Sequence, residues 1–140
     1  MQVIRQYLQQ NKNLQQFIRF SLVGVLNTCL DFLVYTGLTR LIGFFSQYYL
    51  IANAISFGCA VISSFILNKN WTFQDKSKQG NSLKFGKFIL VASVGLILNE
   101  LILFSLVKYV GMYDLLAKAI ATILVLIWNF TASKYLVFKK

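Results

Sequence analysis

The sequence predicts an all-α integral membrane protein with four transmembrane helices, formed by tandem parallel duplication of a two-helix hairpin. Two observations lead to this prediction: the chain contains four long apolar runs, and its motifs recur at a nearly constant spacing. Of the 140 residues, 57% are hydrophobic and 13% are charged. Soluble domains carry about twice that share of charge, roughly 25%, so the composition disfavours a soluble fold.

Each apolar run is long enough to cross a bilayer, whose hydrocarbon core needs about 20 residues of helix. The runs cover roughly residues 17–41, 48–68, 85–109 and 115–136. They lack the polar face that helices of a soluble bundle present, and they are too long to be barrel strands. The predicted organisation is therefore an amphipathic cytoplasmic N-terminal segment, residues 1–16, followed by a four-helix membrane domain, residues 17–140.

The positive charges are distributed unevenly among the segments that flank these runs. Eleven Lys and Arg side chains fall in the N-terminal tail, the loop between the second and third runs, and the C-terminal end, against three elsewhere. Cytoplasmic loops are enriched in Lys and Arg. The pattern thus predicts a multi-pass protein of the cytoplasmic membrane with both termini in the cytoplasm, and it explains the net charge of +10 without a nucleic-acid partner.

Two pairs of segments indicate an internal repeat. The aligned segments are residues 17–23 with 85–91 (FIRFSLV with FGKFILV) and 63–73 with 128–138 (SSFILNKNWTF with WNFTASKYLVF). The offsets are 68 and 65 residues. Repeat one then covers about residues 17–73 and repeat two about 85–138. Because each repeat contains two helices, both are expected to enter the membrane in the same direction.

The tandem F-x-[RK]-F starts, together with NKNWTF and its counterpart NF…SKYLVF, resemble the GtrA-like family of small four-span membrane proteins. The resemblance covers about residues 15–140. It implies flipping of a polyprenyl-phosphate-linked monosaccharide across the cytoplasmic membrane, for glycosylation of O-antigen, teichoic acid or other cell-wall polysaccharides. This chain has Ser64 where the family often has Asn, and Lys69 where Arg is usual, so hydrogen-bonding capacity and charge are kept.

Polar and ionisable side chains inside the spans are the candidate substrate-binding residues. A charge at this depth costs about 2.5–3.5 kcal/mol on insertion scales and is commonly functional. The candidates are Asn27, Asp31, Asn53, Glu100, Lys118 and Asn129. We expect Lys118 to pair with Glu100 if the third and fourth spans pack together. The alternative is that these groups only hold helices together.

One cation stands at the predicted inner end of each span. These cations are Arg19, Lys69, Lys87 and Lys134. The pattern predicts a ring that binds the phosphate of an anionic lipid, since phosphate suits Arg geometrically and Lys as a point charge. Trp71 and Tyr135 are expected beside the headgroup. The alternative is that the enrichment of Lys and Arg in cytoplasmic loops accounts for all four.

The leading interpretation is a carrier for a polyprenyl-phosphate sugar. The expected partners are that sugar lipid, membrane lipids, a membrane glycosyltransferase and further copies of the chain. Two alternatives are a non-transporting scaffold that recruits a glycosyltransferase, and a small proton-coupled exporter. The chain lacks histidine and any nucleotide-binding motif, so we predict no enzymatic activity, metal or cofactor. Cys29 and Cys59 are interpreted as buried small apolar residues.

Overall fold

The structure is a computed structural model that describes residues 11–139, except for the side chains of residues 49, 50, 114 and 115. Its helices are α1 (Lys12–Leu41), α2 (Gly43–Gln47), α3 (Tyr49–Leu67), α4 (Asn81–Lys108) and α5 (Asp114–Ala132). Helices α3 and α5 continue into single π-helical turns, Asn68–Thr72 and Ser133–Val137, here called π1 and π2. No strand occurs within residues 11–139, which confirms the predicted all-α class.

In the described part of the chain, four helical segments are long and apolar enough to cross a membrane. They are Lys12–Leu41, Ile51–Thr72, Asn81–Lys108 and Leu116–Val137. These segments confirm the four predicted spans. The described part of the predicted segment 1–16 is continuous with α1 from Lys12, while residues 1–10 lie outside the described residues.

The connections between the helices use backbone conformations that stop a helix. Ile42 adopts an extended conformation, with φ of −119°, after α1. Gly80 and Gly111 have φ of 69° and 70° in the loops before α4 and α5. Glycine adopts this left-handed region without steric penalty, so these two residues allow the chain to re-enter a helix within a few residues.

The chain divides into two compact units, Met1–Lys76 and Ser77–Lys140. The first contains α1, α2, α3 and π1, and we call it hairpin 1. The second contains α4, α5 and π2, and we call it hairpin 2. In hairpin 1, α1 packs along α3, and in hairpin 2, α4 packs along α5.

The two hairpins bury equivalent positions of their first helices. Helix α1 buries Phe20, Val23 and Asn27, whereas α4 buries Phe88, Val91 and Gly95. Steps of three and four residues place each set on one helix face. The two sets are related by the offset of 68 residues that the sequence motifs show.

The second helices show the same relation at an offset of 65 residues. The buried pairs are Ala52 with Ala117, Ser56 with Ala121, Ala60 with Val125, and Phe73 with Phe138. Phe20 packs on Phe73 with ring centroids 6.1 Å apart, and Phe88 packs on Phe138 at 6.3 Å. The hairpins thus share their packing pattern, and a tandem duplication of the chain stays a prediction.

Large apolar side chains cover the outward faces of the helices. Phe32, Leu33 and Leu90 are each more than 60% exposed, which is expected of a surface that contacts lipid. The predicted burial of Cys29 and Cys59 is wrong, since both are free thiols on exposed faces. Cys29 follows buried Asn27 by two positions, about 200° around the helix, and therefore points away from the packed face.

Candidate functional site

Arg19 lies at the end of hairpin 1 where the start of α1 meets π1; we call this the open end of a hairpin. Its Nη1 donates a hydrogen bond of 2.9 Å to the backbone carbonyl of Trp71. The guanidinium carbon also lies 5.5 Å from the centroid of the Trp71 indole ring, within the range of a cation–π contact. Arg19 is therefore held in place by the segment that follows α3.

Lys69 lies in π1 at the same open end, but its side chain is only 8% exposed. Asp75, which is 5% exposed, donates its backbone N–H to the Lys69 carbonyl at 2.8 Å. Charged groups are rarely buried this deeply, and the Lys69 side chain is packed within the π1 turn. Its predicted contact with phosphate stays a prediction.

The open end of hairpin 2 has a different arrangement of cations. Lys87 occupies the position equivalent to Arg19 and is exposed. The equivalent of Trp71 is Leu136, which offers no aromatic ring. Lys134 is half-buried, with its Nζ 5.8 Å from the ring centroid of Phe130 and 5.6 Å from that of Tyr135. Of the four cations predicted to form a ring, two thus lie at the open end of each hairpin, and the two sets are held differently.

The π-helical turns place a polar residue in the interior of each hairpin. In π1, the Asn68 Nδ2 donates to the Ser64 Oγ at 3.3 Å, and the Thr72 Oγ1 donates to the Asn68 Oδ1 at 2.9 Å. In π2, Ser133 takes the position of Asn68, and its Oγ is buried with no hydrogen-bond partner among the described residues. Isolated π-turns are frequent at functional sites.

Sequence reasoning missed the part played by Thr72. The spacing of four residues between Ser64, Asn68 and Thr72 was available as a signal for a hydrogen-bonded row along one helix face. Each π-turn is closed by one backbone hydrogen bond, from the Phe73 N–H to the Asn68 carbonyl in π1 and from the Phe138 N–H to the Ser133 carbonyl in π2. No pattern in the sequence predicted these π-turns.

Asn27 and Asp31 lie one turn apart on α1, close to the middle of the helix. Asn27 is 7% exposed, and both polar atoms of its side chain are buried with no partner in residues 11–139. The Oδ1 of Asp31 is also buried and has no hydrogen-bond partner among residues 11–139. Asn53, the third candidate in hairpin 1, is exposed on α3.

In hairpin 2, the side chain of Asn129 lies directly against the backbone of Gly95. A Cβ atom on Gly95 would overlap the Asn129 Oδ1 and would lie 3.1 Å from both Cγ and Nδ2. That Oδ1 is buried and accepts no hydrogen bond from the described part of the chain. The neighbouring Trp128 donates its Nε1–H to the Val91 carbonyl at 3.3 Å, which fixes α5 against α4. Gly95 was not among the residues predicted from the sequence.

Glu100 and Lys118 are both exposed. Helices α4 and α5 pack together, yet no ion pair joins these two side chains in the described structure, so the expected pairing is wrong. The reason is orientation: Glu100 lines an open hollow on the outer face of α4 together with Leu103, Phe104 and Lys108. The Lys108 Nζ lies 4.9 Å from the Phe104 ring centroid on that face.

The predicted substrate-binding residues thus divide into two kinds. Asn27, Asp31 and Asn129 present buried polar atoms inside a hairpin, whereas Asn53, Glu100 and Lys118 are exposed. No group of three His, Cys, Asp or Glu side chains within the described residues is placed to hold a metal ion. The buried amides and the carboxylate can exchange hydrogen bonds with a hydroxylated ligand.

Apolar helical hairpins with cations at their open ends define a small multi-pass helical membrane protein. The chain belongs to the GtrA/DPMS transmembrane-domain family, which it matches over residues 19–138. This confirms the resemblance drawn from the sequence motifs.

Two relatives illustrate what is known of similar chains. The uncharacterized membrane protein YngA of Bacillus subtilis (strain 168) is 34% identical over 121 residues, which cover 86% of this chain and 77% of that protein. The cell wall teichoic acid glycosylation protein GtcA of Listeria monocytogenes is 31% identical over 98 residues, which cover 65% of this chain and 64% of that protein.

Proposed function

We propose that the protein flips a polyprenyl-phosphate-linked monosaccharide across the cytoplasmic membrane, in support of cell-surface polysaccharide glycosylation. Membership of the GtrA/DPMS family and the similarity to a protein named for teichoic acid glycosylation support a role in glycosylation of the cell wall. The lipid carrier, the direction of movement and the membrane are parts of the proposal.

The physical problem in such a transfer is the headgroup. The polyprenyl tail can remain in hydrocarbon, whereas the phosphate and the sugar hydroxyls lose their water unless protein groups replace it. A burial of polar groups without compensation costs several kcal/mol each in an apolar medium, roughly 2–7 kcal/mol. A carrier therefore needs polar atoms inside its spans that are not already committed to one another.

The observation that carries the proposal is the set of buried polar atoms on Asn27, Asp31 and Asn129, which have no hydrogen-bond partner among residues 11–139. Each such atom costs about 1–3 kcal/mol when left unsatisfied. Side chains that served only to join helices would be expected to bond across the hairpin. The absence of such bonds among the described residues supports the proposal that these side chains receive a transient polar ligand.

The cations at the open ends are the proposed phosphate-binding groups. Arg19, held by Trp71, presents a planar guanidinium, and Lys87 presents an exposed ammonium. Lys69 and Lys134 complete the proposed set. By the preference for Lys and Arg on the cytoplasmic side, we propose that these ends face the cytoplasm and receive the loaded lipid there.

Asn53, Glu100 and Lys118 form the exposed part of the proposed path for the headgroup. Assembly into a homo-oligomer would shelter exposed charges such as Glu100 from lipid, which is the physical reason for including it in the proposal. A membrane glycosyltransferase that produces or consumes the sugar lipid is the proposed enzymatic partner. We propose no reaction chemistry for this chain.

The test is transport by the purified protein. The full chain is reconstituted in liposomes with a short-chain polyprenyl-phosphate sugar, and the fraction of sugar accessible to an external enzyme is followed over time. Transport without any partner enzyme is the expected result, with Asn27→Ala and Asp31→Asn slower than wild type. Thr28→Val is the matched control because Thr28 is an exposed polar residue on the same helix.

One outcome would contradict the proposed transport, and another would contradict the proposed role of the buried polar atoms. If wild type moves no sugar lipid until a glycosyltransferase is added, the protein acts as a scaffold rather than a carrier. If Asn27→Ala and Asp31→Asn transport at the wild-type rate while folded, the buried polar atoms are structural. In both cases the melting temperature of each variant is measured first, so that a folding defect is not read as a transport defect.

A further inference from the structure

At the level midway along its first helix, each hairpin holds an amide side chain with a buried polar atom that has no partner among the described residues, but on opposite helices. In hairpin 1 the amide belongs to Asn27 on the first helix, and in hairpin 2 it belongs to Asn129 on the second. The offset of 68 residues equates Asn27 with Gly95, and the offset of 65 equates Ser64 with Asn129. The Asn therefore stands on the first helix in hairpin 1 and on the second helix in hairpin 2, and a smaller residue, Ser64 or Gly95, stands at the equivalent position of the other helix.

The packing at this level of hairpin 2 has room for a single amide. A Cβ on Gly95 would overlap the Asn129 Oδ1, so the space occupied by that side chain exists because residue 95 is glycine. The surrounding positions match between the hairpins, since Val23 and Val91 are both buried one turn earlier on the first helix. Both hairpins therefore keep an amide at this level, and only the helix that carries it differs.

Helix joining does not account for these amides. An amide that joins two helices forms hydrogen bonds across the interface. The Asn129 Oδ1 and both polar atoms of Asn27 are buried with no such bond to any described residue. Keeping an unsatisfied amide in both hairpins carries a free-energy penalty that Ser or Ala would avoid, and the penalty is offset if a ligand completes the hydrogen bonds.

We infer that Asn27 and Asn129 are equivalent amide sites, each within its own hairpin, for a hydroxyl group of a sugar headgroup, and that Gly95 is the positioning residue for Asn129. The identity of the ligand rests on the proposed function. An amide can both donate to and accept from a hydroxyl, whereas a phosphate oxygen only accepts. The amides therefore recognise the sugar, and the cations at the open ends recognise the phosphate.

The test compares two probe lipids, farnesyl phosphate and farnesyl-phosphate-glucose, by calorimetric binding to the full chain in detergent. Wild type is expected to bind the sugar lipid more tightly. Asn129→Ser is expected to lose about tenfold in affinity for the sugar lipid, the factor that corresponds to one hydrogen bond, and to bind farnesyl phosphate as wild type does. If Asn129→Ser does not fold, Asn27→Ser provides the same comparison in hairpin 1.

Gly95→Ala tests the positioning role separately from folding. Its Cβ displaces the end of a flexible side chain rather than backbone, and Ala favours the helix over Gly. The sugar lipid is expected to bind about tenfold more weakly, as after loss of one hydrogen bond, in a variant whose melting temperature shows that it is still folded. Gly86→Ala on the same helix is the control, because no described atom lies within 4 Å of its Cβ.

The double variant Gly95→Asn with Asn129→Ser returns an amide to hairpin 2 from the helix that supplies it in hairpin 1. It is expected to bind the sugar lipid more tightly than Asn129→Ser alone. A folded double variant that gains nothing would overturn the equivalence of the two sites. Equal binding of both probe lipids by wild type, or full sugar-lipid affinity in Gly95→Ala, would overturn the inference as a whole.

The binding and transport measurements distinguish failure of the amide-site proposal from failure of the proposed function. If wild type prefers the sugar lipid and the variants lose that preference, but liposomes show no movement of the lipid, the amide sites stand and the proposed transport falls. If wild type transports the sugar lipid while Asn129→Ser, Asn27→Ser and Gly95→Ala bind both probe lipids as wild type does, the proposed function stands and the amide sites fall.

Discussion

Replacing Arg19 by Gln should destabilise hairpin 1 much more than the equivalent change, Lys87→Gln, destabilises hairpin 2. Arg19 donates to the Trp71 carbonyl at 2.9 Å and lies 5.5 Å from its indole centroid. A hydrogen bond from a charged donor contributes about 1.5–3 kcal/mol, and a solvent-exposed cation–π contact about 0.5–1 kcal/mol. Since Arg19 is half-exposed, we expect a loss of about 2 kcal/mol in the free energy of unfolding, near the lower end of that range.

Lys87 is exposed, and its neighbour at the equivalent of Trp71 is Leu136, so Lys87→Gln should change the free energy of unfolding by less than about 0.5 kcal/mol. The assay is denaturation in mixed micelles of SDS, followed by far-UV circular dichroism, which reports the helices of both hairpins. Equal losses in the two Gln variants would refute the reasoning that Trp71 anchors Arg19.

Three further predictions use the same unfolding and labelling methods. Asn68→Ala should lower the free energy of unfolding by about 2 kcal/mol, because its hydrogen-bond partners in the hairpin are left unsatisfied. The control Asn70→Ala should be nearly neutral because Asn70 is exposed. Equal effects of the two variants on the melting temperature would contradict this prediction. Phe73→Ala and Phe138→Ala should each lower the free energy of unfolding by about 3 kcal/mol, because both rings are buried against an equivalent Phe. Unequal losses would show that the hairpins are not packed alike. In a chain without native cysteines, Lys78→Cys should react with a membrane-impermeant maleimide only after cells are opened, and labelling of intact cells would reverse the predicted orientation.

The amino-acid sequence alone determined the four spans and the class of protein. Crossing a bilayer requires a local property, a sufficient length of apolar helix, and each run from residues 17–41 to 115–136 carries that property within itself. The family motifs are equally local, because they are short runs of side chains at the helix ends.

The tertiary structure decided how the polar side chains are used. It buried Lys69 in a turn, turned Glu100 and Lys118 outward without pairing them within the described residues, and placed Asn129 on the space that Gly95 leaves. These outcomes depend on the rotation of one helix against another and on the close approach of side chains distant in sequence. A hydropathy pattern does not encode those quantities, since an apolar residue on a lipid-embedded helix can face either lipid or protein at similar cost.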